Sequence, residues 1–207
     1  MENSKAYKLL IDQINATGLK KMDGYYPRIM EEIYEEERDD VEHLIWNTFN
    51  KNKDIELAQF LPKLQLYDGI KALTNALTES KIPSSNSVNI ACVLYEFSNN
   101  EKYLDVIKQN IDKDPDNISY VAKLSGCKPC KKLYEILSTI YINSNNRTIR
   151  STAVTGILYN KGFITDPYST NEIMEKIELK RIFLKSDSAA RADVIRKLDY
   201  GEFDNFK

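Results

Sequence analysis

Apolar residues recur at intervals of three and four along nearly the whole chain, a spacing that fits amphipathic helices and little else. Ala6, Leu9, Leu10 and Ile14 form one such stripe behind Ser4, a favoured N-cap residue, with Gly18 placed to end the helix. Pro27 stands where a helix can begin, because its missing N–H costs nothing in a first turn. From there Met30, Ile33, Tyr34, Val41, Leu44, Ile45, Thr48 and Phe49 share one face if the helix runs unbroken. Glu37 and Arg38 fall on that same face, so a break near Asp39 is the competing reading. Helical segments are also expected over 55–66, interrupted by Pro62, and over 67–77, where Ile70, Leu73 and Leu77 form the buried line. The run from Ile82 to Ser87 reads as a connector. Only 7 Gly and 6 Pro in 207 residues leave few of the tight turns that a strand-rich fold consumes.

One segment, Val88 to Phe97, is apolar enough to be a buried strand, and an internal repeat argues for helix instead. Ala91, Ala122 and Ala153 lie 31 residues apart, as do Ile90 and Val121, Val93 and Leu124, Tyr103 and Tyr134, Val106 and Leu137, and Ile111 and Ile142. Ile107 falls opposite Ser138, so the match is imperfect. Each unit would be an antiparallel helix pair, with a small Ala at the closest approach, that buries its face only against its neighbours. The expected organisation is one all-α domain over 1–207: N-terminal helices with an acidic segment over 1–82, the clearest repeats over 83–165, and capping helices over 166–207. The stretch from Ile149 through Arg150 and Ala153 to Leu158 resembles the second helix of a HEAT-type repeat, and Ser87 to Leu94 is a weaker copy with Val88 in the place of the Arg. That resemblance implies a HEAT-like α-solenoid, and it bears on fold rather than on function.

Little in the chain points to catalysis. Cys127-Lys128-Pro129-Cys130 has the spacing of a dithiol redox motif, yet no strand precedes it and no βαβ pattern surrounds it. It reads as a turn carrying two cysteines. A zinc site would need two further ligands, and the remaining Cys92 and His43 are far apart in sequence and expected in different repeats. His43 is the only histidine, and neither a serine elbow nor a Gly-rich phosphate loop accompanies it. We therefore expect neither a metal nor a cofactor, and a protein that is not an enzyme. No apolar run is long enough to span a bilayer, the N-terminus has no signal-like core, and three free cysteines suit a reducing compartment. A cytoplasmic location is expected.

Charge is more informative. Residues 31–42 carry eight acids against Arg38 alone, a concentration that repels itself. On a continuous helix Glu35, Asp39 and Glu42 line up beside Trp46, the only tryptophan, which would project away from the apolar face. Such a stripe suits a docking face for a basic partner, with Glu31, Glu32, Glu35, Asp39, Glu42, His43 and Trp46 as candidate contacts. The competing account is a solvated helix face with Trp46 tucked under a neighbouring helix. A smaller basic cluster, Lys123, Lys128, Lys131, Lys132, Arg147 and Arg150, could grip nucleic acid, but a net charge of -2 supplies no global excess for it.

In general character, a small acidic helical-repeat protein rich in Asn, Lys, Ile and Tyr, the chain resembles the immunity proteins of bacterial toxin–immunity systems, including contact-dependent growth inhibition. The resemblance implies a tight complex with a cognate toxin domain, often a basic nuclease. Two alternatives stand beside it: a HEAT-like nucleic-acid-binding or repair protein using a basic concave face, and an adaptor for another host protein.

Overall fold

A computed structural model describes residues 2–18, 24–52, 54–184 and 187–207. Among these residues the chain is helical, without a strand, and no helix is long and apolar enough to cross a membrane. The chain, expected from its sequence to form one helical domain, divides its contacts between two compact units, residues 1–80 and 81–207.

Unit 1 holds α1 (Lys5–Asn15), the short α2 (Ile29–Glu32), α3 (Arg38–Asn52) and α4 (Gly69–Glu79). Ser4 caps α1, its Oγ accepting the Tyr7 N–H at 3.0 Å. The helix stops at Asn15, short of Gly18, whose positive φ of 60° belongs to the turn beyond. The long helix considered for residues 28–49 is interrupted earlier than Asp39. Ile33 and Tyr34 are extended, and Glu35–Glu37 form a single 3₁₀ turn before α3 begins. Glu37 holds this break in place: one carboxylate oxygen accepts the Tyr34 N–H at 3.0 Å and the other the Ser4 N–H at 2.7 Å. Pro62 has the effect its missing N–H dictates, leaving 55–66 as two 3₁₀ turns, Ile55–Gln59 and Leu61–Lys63, rather than a helix. Leu10, Ile29, Val41, Ile45, Leu57, Phe60, Leu61 and Leu73 are fully enclosed and form the core. Ile70 and Leu77, expected beside Leu73, are only half-buried.

Unit 2 runs through α5 (Ser85–Ser98), α6 (Lys102–Lys113), α7 (Ile118–Ser125), α8 (Lys131–Asn143), α9 (Arg147–Asn160), α10 (Thr170–Glu175), α11 (Ile177–Ile182) and α12 (Ser188–Asp199). The ambiguous run 88–97 lies within α5, and the expected connector is shorter than its composition implies, since Ser84 already caps that helix. Helix α5 packs on α6 and α7, α7 on α9, and α9 on α8, which also receives α12. Helices α7 and α9 come close together at a glycine. A Cβ added at Gly156 would lie 2.8 Å from both Cα and Cβ of Ser125 and 2.8 Å from Leu137 Cδ1. Ala91 and Ala153 are buried, whereas Ala122 is half-buried.

Gly156→Ala therefore tests the packing by its sign. In an open helix interior the change would stabilise by roughly 0.5–1 kcal/mol. Here crowding dominates, and a net loss of about 1–2 kcal/mol in urea unfolding is expected. An unchanged or raised midpoint would mean that α7 and α9 are not in contact at this position.

Most enclosed polar side chains are satisfied, with Ser138 Oγ of α8 an exception that has no hydrogen-bond partner among the described residues. Asn110 of α6 is fully buried, and its Oδ1 accepts the Ser84 N–H at 2.7 Å and the Ser87 hydroxyl at 2.8 Å. Its Nδ2 donates to Val106 O at 2.8 Å, so one side chain ties the start of α5 to α6. Buried Arg191 of α12 donates through Nε and Nη2 to Ile142 O, at 2.9 and 2.6 Å, and so covers a carbonyl that α8 leaves unpaired at its end. Tyr141, Phe183 and Phe203 form an aromatic chain beneath these helices, with the Tyr141 hydroxyl donating to Phe183 O at 2.8 Å.

Candidate functional site

Helix α3 divides into two faces. Val41, Glu42, Ile45, Thr48 and Phe49 turn into the core of unit 1, while Asp39, His43, Trp46 and Asn50 follow one another along the opposite side at helical spacing. Two side-chain contacts run down this outer stripe: His43 Nδ1 lies 2.7 Å from Asp39 O, and Asn50 Nδ2 donates to Trp46 O at 2.9 Å.

Trp46 is half-buried, because Tyr67 from the segment preceding α4 lies flat against it, ring centroids 4.5 Å apart and planes within 6°. His43 meets the same Tyr67 ring edge-on at 5.5 Å. The indole is thus neither fully projecting nor tucked under a helix; it is one plate of a stack held from below. Beside the stack, between α3 and α4, lies a groove of about 510 Å³ whose walls include Trp46, Leu66, Tyr67, Asp68, Lys71 and Asn75.

Apart from Glu37, which is engaged by the Ser4 and Tyr34 N–H groups, the acidic residues separate into three groups. Glu42 corrects the expectation that it faces outward. Its side chain is wholly buried, Oε1 accepting Arg38 Nε at 2.8 Å and Oε2 accepting the Gln65 and Leu66 N–H groups at 2.7 and 2.8 Å. Burial by itself would raise its pKa, but the Leu66 N–H, the Arg38 guanidinium and the Gln65 N–H together hold it below the ordinary carboxylate value. Glu31 and Glu32 are exposed and have counterions, Arg28 three and four residues back along the chain and, for Glu31, Lys63 from a distant turn. Glu31 faces Lys63 at 3.1 Å and Arg28 at 3.6 Å, and Glu32 faces Arg28 at 3.3 Å while accepting the Tyr26 hydroxyl at 2.8 Å. The third group is Glu35, Glu36, Asp39 and Asp40: all are exposed, and none has a side-chain hydrogen bond or ion pair among the described residues. Arg38 sits among them but is committed to Glu42 and to the carbonyls of Met30 and Lys63, at 3.2 and 2.9 Å.

The basic cluster of unit 2 is less available than its sequence implies. Lys132 pairs with Asp105 at 2.7 Å, Arg150 donates to Ser144 O and Asn145 O at 3.1 and 2.8 Å, and Lys128 Nζ donates to Glu96 O. Lys131 stands 3.9 Å from Glu135, leaving exposed Lys123 and Arg147 as the least engaged.

The cysteines depart from expectation as well. Cys127 Sγ lies 3.7 Å from Cys92 Sγ, so Cys92 of α5 is its spatial neighbour. Cys130 serves α8 as N-cap, its Sγ accepting the Leu133 N–H at 3.4 Å. Among the described residues no group of three or more His, Cys, Asp or Glu side chains is arranged to hold a metal. Comparison with protein-family models, with curated proteins and with solved structures finds no match to this chain.

Tyr67 and Asn50 were not legible as site residues. Tyr67 reads locally as the start of a helix, and only the fold of the intervening turns brings it onto Trp46. Glu42 did carry a signal, since Arg38 and Glu42 stand four apart, the spacing of a helical ion pair.

Proposed function

We propose that the chain is a non-catalytic binding protein whose outer α3 face docks a basic surface of a protein partner, and that it acts as an immunity protein covering a cognate bacterial toxin domain. One observation carries the reading: four exposed carboxylates that have no counterion among the described residues, Glu35, Glu36, Asp39 and Asp40, adjoin an aromatic stack that opens onto a groove. Unpaired like charges raise the local field and speed encounter with a cation-rich surface. A flat, pre-stacked aromatic pair supplies rigid apolar area that loses little entropy on binding. We read unit 2 as the HEAT-like α-solenoid part, supported by the succession of α5, α7 and α9 against one another. The nucleic-acid alternative is weakened by the engagement of Lys128, Lys132 and Arg150 within the fold.

The test is co-expression with the C-terminal domain of an exported toxin encoded beside this chain, read as growth rescue, followed by binding kinetics. Rescue is expected. Trp46→Ala should raise the dissociation rate roughly 30-fold, the size of a hot-spot loss of about 2 kcal/mol. Reversing Glu35, Glu36 and Asp39 to Lys should mainly slow association and flatten its salt dependence. Glu42 is left out of this set because it is buried. Absence of rescue, or rescue and kinetics indifferent to both sets of changes in folded protein, would remove the proposal.

A further inference from the structure

We propose that Cys92 and Cys127 are a redox modification site: an internal disulfide closes between α5 and the turn joining α7 to α8 when the protein meets a disulfide oxidant such as oxidised glutathione. The two sulfurs come from residues 35 apart in sequence and stand 3.7 Å from each other, already in van der Waals contact. A disulfide needs them at about 2 Å, an approach that side-chain rotation can supply. Cys130, the sequence neighbour that a dithiol motif would select, is turned to the N–H of Leu133 at the start of its own helix.

Accessibility sets the order of events. Cys127 is buried and covered on the Gly126 side by Tyr168, whose hydroxyl would lie 1.9 Å from a Cβ at Gly126. Cys92 is half-buried and meets the reagent first. Its thiolate attacks one sulfur of oxidised glutathione, the glutathione S–S bond breaks, and the released thiolate takes up the proton that Cys92 gave to solvent. Cys127 then loses its proton and attacks the Cys92 sulfur of the mixed disulfide. The bond to glutathione breaks and a second glutathione leaves protonated. The protein gives up two protons and two electrons, and one oxidised glutathione becomes two reduced molecules. The contact with Cys92 and burial both push the Cys127 thiol well above its usual pKa, so the second step is slow near neutrality and quickens as pH rises.

The experiment treats the full chain with oxidised glutathione, alkylates the remaining thiols and maps the peptides by mass spectrometry. Lys128 precedes Pro129, so trypsin leaves Cys127 and Cys130 on one peptide, and Cys130→Ser is needed to assign the bond. The expected result is loss of two thiols per chain with a cross-link joining the Cys92 and Cys127 peptides. It should persist in Cys130→Ser and vanish in Cys92→Ser. The oxidised protein should melt on the order of 5 °C higher, reversibly with reductant, because the bond closes a long loop in the unfolded chain. A Cys127 to Cys130 bond, or glutathione remaining on Cys92 with no internal cross-link, would overturn the proposal.

Discussion

Glu42→Ala is expected to destabilise unit 1 by about 3–5 kcal/mol, the largest effect of any single change in this protein, because it removes the acceptor for a guanidinium and two backbone N–H groups at once. Arg38 Nε and the N–H groups of Gln65 and Leu66 all end on this carboxylate, and the Glu42 side chain has no exposure to water. Natural domains have only about 5–15 kcal/mol in total, so a loss of that size should leave a substantial unfolded fraction at moderate urea. Glu42→Gln should fall between the two, because its amide can still accept from backbone but presents N–H groups towards Arg38. The pH dependence has a definite sign. A carboxylate held below its ordinary value of about 4.5 contributes stability that is complete above that value and is lost as pH falls through the lower folded-state value. The stability difference between the native chain and Glu42→Gln should therefore be widest near neutrality and shrink in acid below about pH 4.5. A difference constant with pH would show that Glu42 is not charged in the folded protein.

Gly69→Ala should cost about 3 kcal/mol, the upper end of overpacking, although it adds one methyl group. A Cβ on Gly69 would stand 1.9 Å from Leu61 O, 2.4 Å from Leu61 C and 2.9 Å from Leu61 Cα. These are backbone atoms of a 3₁₀ turn containing Pro62, which cannot rotate aside as a side chain would. Gly69 follows Tyr67 by two residues, so relief of the clash would also shift Tyr67 on Trp46. Since Trp46 is the only tryptophan, its fluorescence should report that shift in the fraction that remains folded. An unchanged melting temperature with an unchanged emission spectrum would mean that α4 and the preceding turn separate easily.

The two variants also bear on the binding reading, because they act beneath the α3 face rather than on it. Each should weaken partner binding through a disordered site, whereas Trp46→Ala should do so in a protein of near-native stability.

Local physical chemistry made much of the chain legible. The three-and-four spacing marked the helices, Ser4 marked a helix start, and Pro62 marked an interruption, because each of these depends on residues within one turn of one another, whereas Ser84 read as connector and turned out to cap α5. The ambiguous segment around Ala91 was not settled by such local signals and was placed in a helix only by the 31-residue spacing of its apolar residues. Helical spacing on a continuous helix aligned Glu35, Asp39 and Glu42 beside Trp46; the fold keeps Asp39 and Trp46 on one stripe, adds His43 and Asn50, and buries Glu42.

What the sequence could not decide was which of two like residues is buried, since that depends on partners brought from elsewhere by the fold. Glu42 and Asp39 are both acids on α3, yet one is enclosed by the backbone of Gln65 and Leu66 and the other faces solvent. Cys127 has Cys130 three residues away and Cys92 35 residues away, and packing of α5 chose the distant one. The alanine period pointed to close helix contact at the alanines, and it gave no sign of the close contact at Gly156 and Ser125, where the absence of a side chain lets two backbones approach. Charge, period and capping act over a few residues and can be read along the chain. Burial, stacking and thiol proximity act through space, and only the tertiary structure assigns them.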